Sequence, residues 1–265
     1  MTRVQLLRRV RTSLAVLTFL FLAGCASTSE FADPRDPWEG FNRAMYSFND
    51  SVDRIIIKPL SRGYKAITPV PLDRGITNFF SNLGDVRSAI NNALQFKLTR
   101  AGTDLGRVAF NTTLGLLGFF DVATNMNLPH YGEDFGQTLG VWGSSPGPYI
   151  VLPLLGPSSG RDAAGLVVDW FTAPVRYVDD STLQYALMAL WYIDRRADLL
   201  GASRLVEQAA LDPYEFVRNA YLQKRQYDVY DGNPPPEPEL EPELEPELEP
   251  ELEPEPEPEE DLPQE

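Results

Sequence analysis

Apolar side chains recur every three or four residues near the start of the chain. The stripe consists of Trp38, Phe41, Met45, Phe48, Val52 and Ile55. Because an α-helix turns once in about 3.6 residues, this spacing places them on one face and predicts an amphipathic helix. Asp36 is predicted to be its N-cap, with Pro37 at the first helical position and Glu39 completing a capping box. The helix is expected to end before Pro59, which cannot donate a backbone hydrogen bond.

The same helical spacing recurs through much of the chain as far as residue 229. Further helices are predicted at about 72–82, 85–98, 100–112, 160–171, 182–199, 203–210 and 213–229. The last of these begins at Asp212-Pro213-Tyr214-Glu215, which repeats the cap pattern of the first helix. No convincing run of alternating apolar and polar residues predicts a strand. The predicted fold class is therefore mainly α.

Two apolar, glycine- or proline-containing segments interrupt the helical pattern, at residues 113–120 (TLGLLGFF) and 149–155 (YIVLPLL). Neither approaches the roughly 20 residues that a helix needs to span a bilayer. In a soluble protein both segments would be buried core. In a protein attached to a membrane they could instead face acyl chains, at its rim or along an internal lipid path.

Two pairs of glycines have the spacing that lets helices approach closely, Gly102 with Gly106 and Gly136 with Gly140. Small residues four positions apart remove side-chain bulk from one face of a helix. The spacing is common by chance, so it indicates a close approach only weakly.

The N-terminus predicts export and lipidation. Residues 1–24 combine four early arginines with a nine-residue apolar run, which is typical of a secretory signal peptide. Leu22-Ala23-Gly24-Cys25 forms a lipobox, so cleavage is expected between Gly24 and Cys25, and the Cys25 thiol is expected to be acylated. Several acyl chains on one residue would anchor the protein stably. Ala26 is not the aspartate that usually retains a lipoprotein in the inner membrane, which favours the outer membrane, facing the periplasm.

The mature chain is predicted to have three parts: a tether at 25–36, a folded domain at 37–232 and a disordered tail at 233–265. Fully extended, the tether reaches about 40 Å. Residues 237–265 hold 15 acidic and no basic residues, so 23 acidic and 23 basic residues remain in 1–236. A neutral domain argues against nucleic acid as a partner. The tail is either a solvated spacer or an acidic docking segment for a basic partner.

The residues offer little for catalysis. With one Cys and one His, the chain can form no intramolecular disulfide, no cysteine metal cluster and no two-histidine metal site. Residues 143–147 (GSSPG) match the G-x-S-x-G pattern of α/β-hydrolases, but the only histidine, His130, precedes Ser145, and prolines spoil the helix that should follow. The acidic pairs at 133–134 and 179–180 are interpreted as turns or helix caps rather than metal ligands. We expect no enzyme activity, no metal and no cofactor.

Five blocks of residues resemble the VacJ/MlaA family of phospholipid-transport lipoproteins, in the order in which the family carries them. They are Asp36–Asn49 (DPWEGFNRAMYSFN), Asn111–Ala123 (NTTLGLLGFFDVA), Phe135–Gly140 (FGQTLG), Gly147–Pro153 (GPYIVLP) and Leu211–Glu215 (LDPYE). Together with the lipobox they are highly specific, and they cover about residues 33–232. The tail is not covered.

The resemblance implies a single helical, ring-like domain embedded at the inner leaflet of the outer membrane. Family members associate with a trimeric outer-membrane porin. They pass mislocalised outer-leaflet phospholipids through an amphipathic channel to a soluble periplasmic lipid carrier, without catalysing a reaction. By the same resemblance Asn42, Phe48 and Asn49 are candidates for channel lining or gating. The loop at about 125–135, with His130, would match a flexible hairpin beside the channel.

Two other functions remain open at this point. A non-catalytic envelope scaffold that tethers a porin or a cell-wall partner would also be a lipoprotein with an extended tail. A lipid hydrolase would release fatty acid or lysophospholipid and would depend on Ser145. The order of the serine and the histidine argues against the hydrolase.

Overall fold

The structure is a computed structural model that describes residues 33–235, and it confirms a mainly helical fold. The helices are α1 (Glu39–Val52), α2 (Lys58–Ile67), α3 (Val70–Leu94), α4 (Leu98–Thr113), α5 (Val122–Asn125), α6 (Phe135–Val141), α7 (Gly160–Thr172), α8 (Ser181–Asp198), α9 (Leu200–Ala209) and α10 (Pro213–Val229). A short 3-10 helix lies at Pro174–Tyr177. The predicted cleavage and lipidation site at Gly24 and Cys25 and nearly all of the acidic tail lie outside the described residues.

Both predicted ends of the first helix are wrong. The helix begins at Glu39, and Asp36 is a buried side chain that accepts a 2.7 Å hydrogen bond from Asn42 Nδ2 rather than an N-cap. At its other end, α1 continues through a π-helical turn at Asp53–Ile57 directly into α2. In the π turn the Lys58 N–H bonds the Asp53 carbonyl, five residues back. This wider turn accommodates Pro59, whose ring and missing N–H would break an ordinary α-helix.

The two helices predicted at 72–82 and 85–98 are one continuous helix, α3. Gly84, at the predicted break, has open space where a Cβ would be, and the helix passes through it without distortion. The helix ends where Phe96 takes a left-handed φ of 61°, with the Gln95 and Lys97 N–H groups bonding the Asn91 and Asn92 carbonyls. From there α4 turns back and packs along α3.

The expectation of no strand is wrong for residues 149–159. Tyr149–Leu152 (β1) and Gly156–Ser159 (β2) form a two-stranded antiparallel hairpin, with Tyr149 opposite Ser159 and Leu152 opposite Gly156. Each strand has only four residues, and β1 is apolar throughout, so no alternation was visible in the sequence. The hairpin supplies part of a small apolar core formed by Tyr149 and Val151 with Tyr214 of α10.

Aspartates begin several helices, as the sequence indicated. Asp212 accepts hydrogen bonds from the Tyr214 and Glu215 N–H groups at the start of α10. Asp134 caps α6, and Asp180 caps α8. These contacts confirm the interpretation of Asp134 and Asp180 as caps. Within residues 33–235 no helix is both long and apolar enough to cross a membrane.

Candidate functional site

The described domain has a largely polar interior. Only eight hydrophobic side chains are buried, against 23 polar or charged ones, while large hydrophobic side chains are exposed along most of the helices. In a water-soluble domain the buried set is normally dominated by aliphatic and aromatic residues. Extensive exposed apolar surface marks a protein or membrane interaction site. The burial pattern is therefore that of a domain that exposes apolar surface and keeps polar groups inside.

The two apolar segments behave differently from each other. In residues 113–120 the side chains of Leu116 and Leu117 are 67% and 65% exposed, so this segment is not buried core. In residues 149–155 the first half is buried in the hairpin core, whereas Leu154 and Leu155 at the turn are exposed. Exposed leucines in tight turns are the geometry expected of a segment that contacts acyl chains.

A chain of buried charges connects α3 and α4 to the loop before α6. The guanidinium of Arg107 on α4 donates to Asp85 Oδ2 at 3.0 Å and to the Leu128 carbonyl at 2.7 Å. Asp121 lies 3.3 Å from the same guanidinium. His130 Nδ1 lies 2.5 Å from the other Asp85 oxygen, with its ring half-exposed. The loop that carries His130 is thus bound to both α3 and α4.

Two further carboxyl groups are buried beside this chain of charges. Asp104 on α4 accepts hydrogen bonds from Ser88 Oγ at 2.7 Å and Asn92 Nδ2 at 2.8 Å. Burial raises the pKa of Asp104, although these two bonds oppose the rise. Burial likewise raises the pKa of Glu133, which accepts a bond from Gln95 Nε2 at 3.0 Å. Serine, asparagine and glutamine side chains thus provide hydrogen bonds to one oxygen of each carboxyl group, whereas Asp104 Oδ1 is buried without a partner among the described residues.

Asn42 and Asn49 hold the hairpin against α1. Asn42 Nδ2 donates to the Tyr149 carbonyl at 3.0 Å, and its Oδ1 accepts from the Val151 N–H at 2.8 Å. About two helical turns further along α1, Asn49 Nδ2 donates to the Leu152 carbonyl at 2.9 Å. Its Oδ1 accepts from the Leu154 N–H at 2.8 Å. The two amides therefore satisfy the edge of β1 as a neighbouring strand would.

Replacing Asn42 by leucine is expected to lower the free energy of unfolding by about 3 kcal/mol, because two buried backbone groups lose their partner and Asp36 loses one of its hydrogen bonds. The measurement is denaturant unfolding of the protein in detergent, followed by circular dichroism. Ser51→Ala is the control, since Ser51 Oγ bonds only the Ser47 carbonyl one turn earlier on the exposed face. Equal stability of the leucine variant and the wild type would contradict a clamping role.

The four predicted site residues do not form one cluster of contacts. Asn42 and Asn49 both bind the hairpin, Phe48 lies between them on α1 and is 48% exposed, and His130 binds Asp85 of α3. Among the three predicted site residues on α1, Phe48 is thus the one whose side chain is free to contact a ligand. The gating roles of these residues remain predictions.

The G-x-S-x-G match lies in the irregular segment between α6 and β1. Ser144 and Ser145 are exposed, and Gly143 and Gly147 have positive φ angles of 92° and 68°. A strand-to-helix turn, which a hydrolase serine needs, does not occur there, because a helix precedes this segment and a strand follows it. Across residues 33–235, no group of three or more His, Cys, Asp or Glu residues is placed to hold a metal ion.

Sequence reasoning missed an ion cluster that joins α10 to α6 and α7. Arg225 of α10 makes paired bonds of 2.7 and 3.0 Å to Asp134 and of 2.9 and 2.9 Å to Asp162. A Cβ added to Gly136 would lie within 2.7 Å of Arg225 and Asp162, and one added to Gly165 would meet the backbone of Gly136 at 2.5 Å. The Gly136–Gly140 pair therefore marks a place where α6 approaches its neighbours closely.

The Gly102–Gly106 pair marks no such approach, because a Cβ added at either glycine would find no neighbour nearer than 3.6 Å.

Comparisons with known proteins agree with this architecture. Residues 34–228 match the MlaA lipoprotein family. The chain is 35% identical over 237 residues to the intermembrane phospholipid transport system lipoprotein MlaA of Escherichia coli (strain K12), covering 86% of this chain and 92% of that protein. It is 34% identical over 233 residues to the protein of the same name from Haemophilus influenzae, covering 82% and 90%.

A solved structure bearing on the maintenance of bacterial outer membrane lipid asymmetry is similar over 73% of this chain and 98% of the solved chain, with a TM-score of 0.65 and 34% identity. An uncharacterized protein of Rickettsia conorii is 36% identical over 195 residues, covering 73% of this chain and 78% of that protein. The sequence comparisons and the structural comparison thus point to the same family over most of the chain. On this evidence the chain belongs to the MlaA lipoprotein family.

Proposed function

We propose that this protein is the lipoprotein of an intermembrane phospholipid transport system. It is anchored in the outer membrane on the periplasmic side and passes mislocalised outer-leaflet phospholipids inward. In this way it maintains the lipid asymmetry of the membrane. The names of its E. coli and H. influenzae relatives support transport, and the solved relative supports a role in outer membrane lipid asymmetry.

The observation that carries this proposal is the polar interior beneath exposed apolar surface. A phospholipid that crosses a bilayer must move its charged headgroup through about 30 Å of hydrocarbon, where an ion is very costly. A domain with polar groups inside shields the headgroup, while the acyl chains remain in contact with apolar surface. No energy input is required at this step if the flow follows a gradient that a downstream acceptor maintains.

The resemblance to the family supplies the predicted partners, and the same arrangement is compatible with them. A tether of about 40 Å keeps the domain at the membrane surface or within the leaflet. The exposed leucines of residues 113–120 then have lipid or a membrane protein to contact, which fits a trimeric porin as neighbour. On the periplasmic side a soluble lipid carrier receives the phospholipid. The protein performs no chemistry on the lipid.

Outer-leaflet phospholipid exposure in cells that lack the gene tests the proposal. We expect surface-accessible phospholipid to rise on deletion and to return to the original level when the wild-type gene is restored. Unchanged exposure in the deletion strain would overturn lipid transport. If envelope mechanics changed in that strain while lipid asymmetry stayed normal, the scaffold function would replace it.

Phe48 tests the gating role predicted for α1. Phe48→Ala is expected to disturb lipid asymmetry without changing the protein level, because Phe48 is exposed while its neighbour Asn49 is held by Leu152 and Leu154. The measurement is surface-accessible phospholipid in a deletion strain that carries the variant. Phe216→Ala removes a similarly exposed ring from α10 and serves as control. Wild-type asymmetry with Phe48→Ala would remove the gating role.

A further inference from the structure

Two arginines, on helices that contact each other, lack a close ion pair within residues 33–235. Arg87 lies on α3 and Arg195 on α8, and these two helices contact each other. The Nε atom of Arg87 is buried and has no hydrogen-bond partner. Neither guanidinium forms an ion pair within 4.0 Å with any residue in 33–235. By contrast, carboxylates pair with five other arginines whose side chains are at most 14% exposed, namely Arg107, Arg161, Arg196, Arg218 and Arg225.

The charges around this pair leave a positive excess. Burial lowers the pKa of Arg195, and repulsion from Arg87 lowers it further. Arg87 interacts electrostatically with the carboxylate of Asp169, whose oxygens accept from the Phe135 N–H at 3.2 Å and from Asn91 Nδ2 at 3.5 Å. One carboxylate already engaged by other donors does not balance two guanidiniums. Like charges that protein partly surrounds favour a bound anion.

An anion can reach the pair from outside the protein. The Arg195 side chain is accessible to solvent, although enough protein surrounds it to lower its pKa by desolvation. Its guanidinium lies 5.5 Å from the ring centroid of Trp191, which is itself exposed. A charged group beside an exposed indole offers both an anion contact and an apolar contact. This combination suits an amphipathic ligand better than a simple ion.

We propose that Arg87 and Arg195 together bind the phosphodiester phosphate of a phospholipid as it passes through the protein. A guanidinium offers donors in a planar fork that matches two phosphate oxygens, which makes it well suited to this group. A phosphodiester carries one negative charge, which matches the excess of two guanidiniums over Asp169. The inference rests on the proposed function, and it adds the headgroup atom that is recognised and the residues that recognise it.

Titration calorimetry on the full mature lipoprotein in a nonionic, phosphate-free detergent tests the site. The probes are dihexanoyl-phosphatidylethanolamine and, separately, inorganic phosphate. We expect the affinity for the lipid to fall about tenfold for each arginine changed to glutamine, because each change removes charge-assisted hydrogen bonds. Arg195→Lys, which keeps the charge but not the fork, is expected to lie between wild type and Arg195→Gln. Arg204→Gln removes the same charge from an exposed position on α9 and should leave the affinity unchanged.

The outcomes separate this inference from the proposed function. Equal lipid affinity in the wild type and in the folded Arg195→Gln variant overturns the arginine site and leaves transport intact. Absence of lipid binding by the wild type overturns both. Inorganic phosphate that binds as tightly as the lipid overturns the assignment to a lipid headgroup. Because Arg195 is exposed, the Arg195→Gln variant is expected to fold. Its lipid affinity therefore tests the site even if the double variant with Arg87→Gln fails to fold.

Discussion

Replacing Arg225 by methionine is expected to lower the free energy of unfolding by about 3–5 kcal/mol. The Arg225 side chain is 14% exposed and forms paired bonds to both Asp134 and Asp162. Methionine fills part of the same volume but leaves two carboxylates enclosed without their cation, which is more costly than the loss of the hydrogen bonds alone. Denaturant unfolding in detergent, monitored by circular dichroism, measures the loss.

The neighbouring residue provides a matched control. Lys224 is 73% exposed and pairs with Asp228 one turn further along the same helix. Lys224→Met is therefore expected to change the free energy of unfolding by no more than about 0.5 kcal/mol. Similar losses for the two variants would show that the cluster contributes no more than an ordinary surface ion pair.

The pH dependence gives a second measure of the Arg225 cluster. Burial alone would raise the pKa of Asp162, but the bonds from Arg225, Tyr221 and Arg161 outweigh it and lower the pKa to about 2 from an ordinary 3.8. The stabilisation is therefore complete above about pH 4 and is lost as the pH falls towards 2. The difference in stability between wild type and Arg225→Met should shrink over that interval. A difference that stays constant down to pH 2 would exclude ionic pairing as its origin.

Periodicity and cap residues predicted most helices within a few positions. Helix α7 runs from Gly160 to Thr172 and α8 from Ser181 to Asp198, close to the predicted 160–171 and 182–199. These features depend on neighbours within one or two turns, which a sequence displays directly. The π turn before Pro59 was not predictable in this way, because Pro59 alone indicates a helix end and the compensating turn depends on how α1 and α2 pack.

The contacts of Asn42 and Asn49 were out of reach for a different reason. Each amide bonds backbone groups more than 100 positions away in the chain. Local pattern identifies asparagine on a helix face but not the strand edge that it meets.

The resemblance implied an amphipathic channel, but the residues of the polar interior were not identified from periodicity, although they left a signal in the sequence. One face of α3 carries Asp85, Ser88 and Asn92 at steps of three and four, and Gln95 follows directly after the helix. Asp104 on α4 faces them. A helix face of this composition is normally interpreted as a solvated surface. In this domain it is buried, while Leu105 beside Asp104 is exposed. An environment that favours apolar groups outside makes that exchange favourable, and a membrane or a protein partner provides one.

Replacing Cys25 by alanine is expected to abolish complementation of the deletion strain completely. Cys25 lies outside the described residues, and its acylation is predicted by the lipobox Leu22-Ala23-Gly24-Cys25. Acylation at Cys25 is the predicted anchor, because several acyl chains on one residue hold a protein stably at a membrane. A non-acylated form, exported with an ordinary signal peptide fused at Ala26, should reach the periplasm yet leave surface-accessible phospholipid at the level of the deletion strain.

The residue after the cysteine separates anchoring from location. Ala26→Asp keeps the predicted acylation site but introduces the residue that usually retains lipoproteins in the inner membrane, so we expect an anchored protein that also fails to restore asymmetry. Ser27→Ala, one position further, is the control and should complement fully. Membrane fractionation identifies where each form resides. Complementation by the non-acylated form would show that the exposed apolar surface holds the domain in place without lipid. Complementation by an Ala26→Asp protein found only in the inner membrane would contradict the outer-membrane assignment.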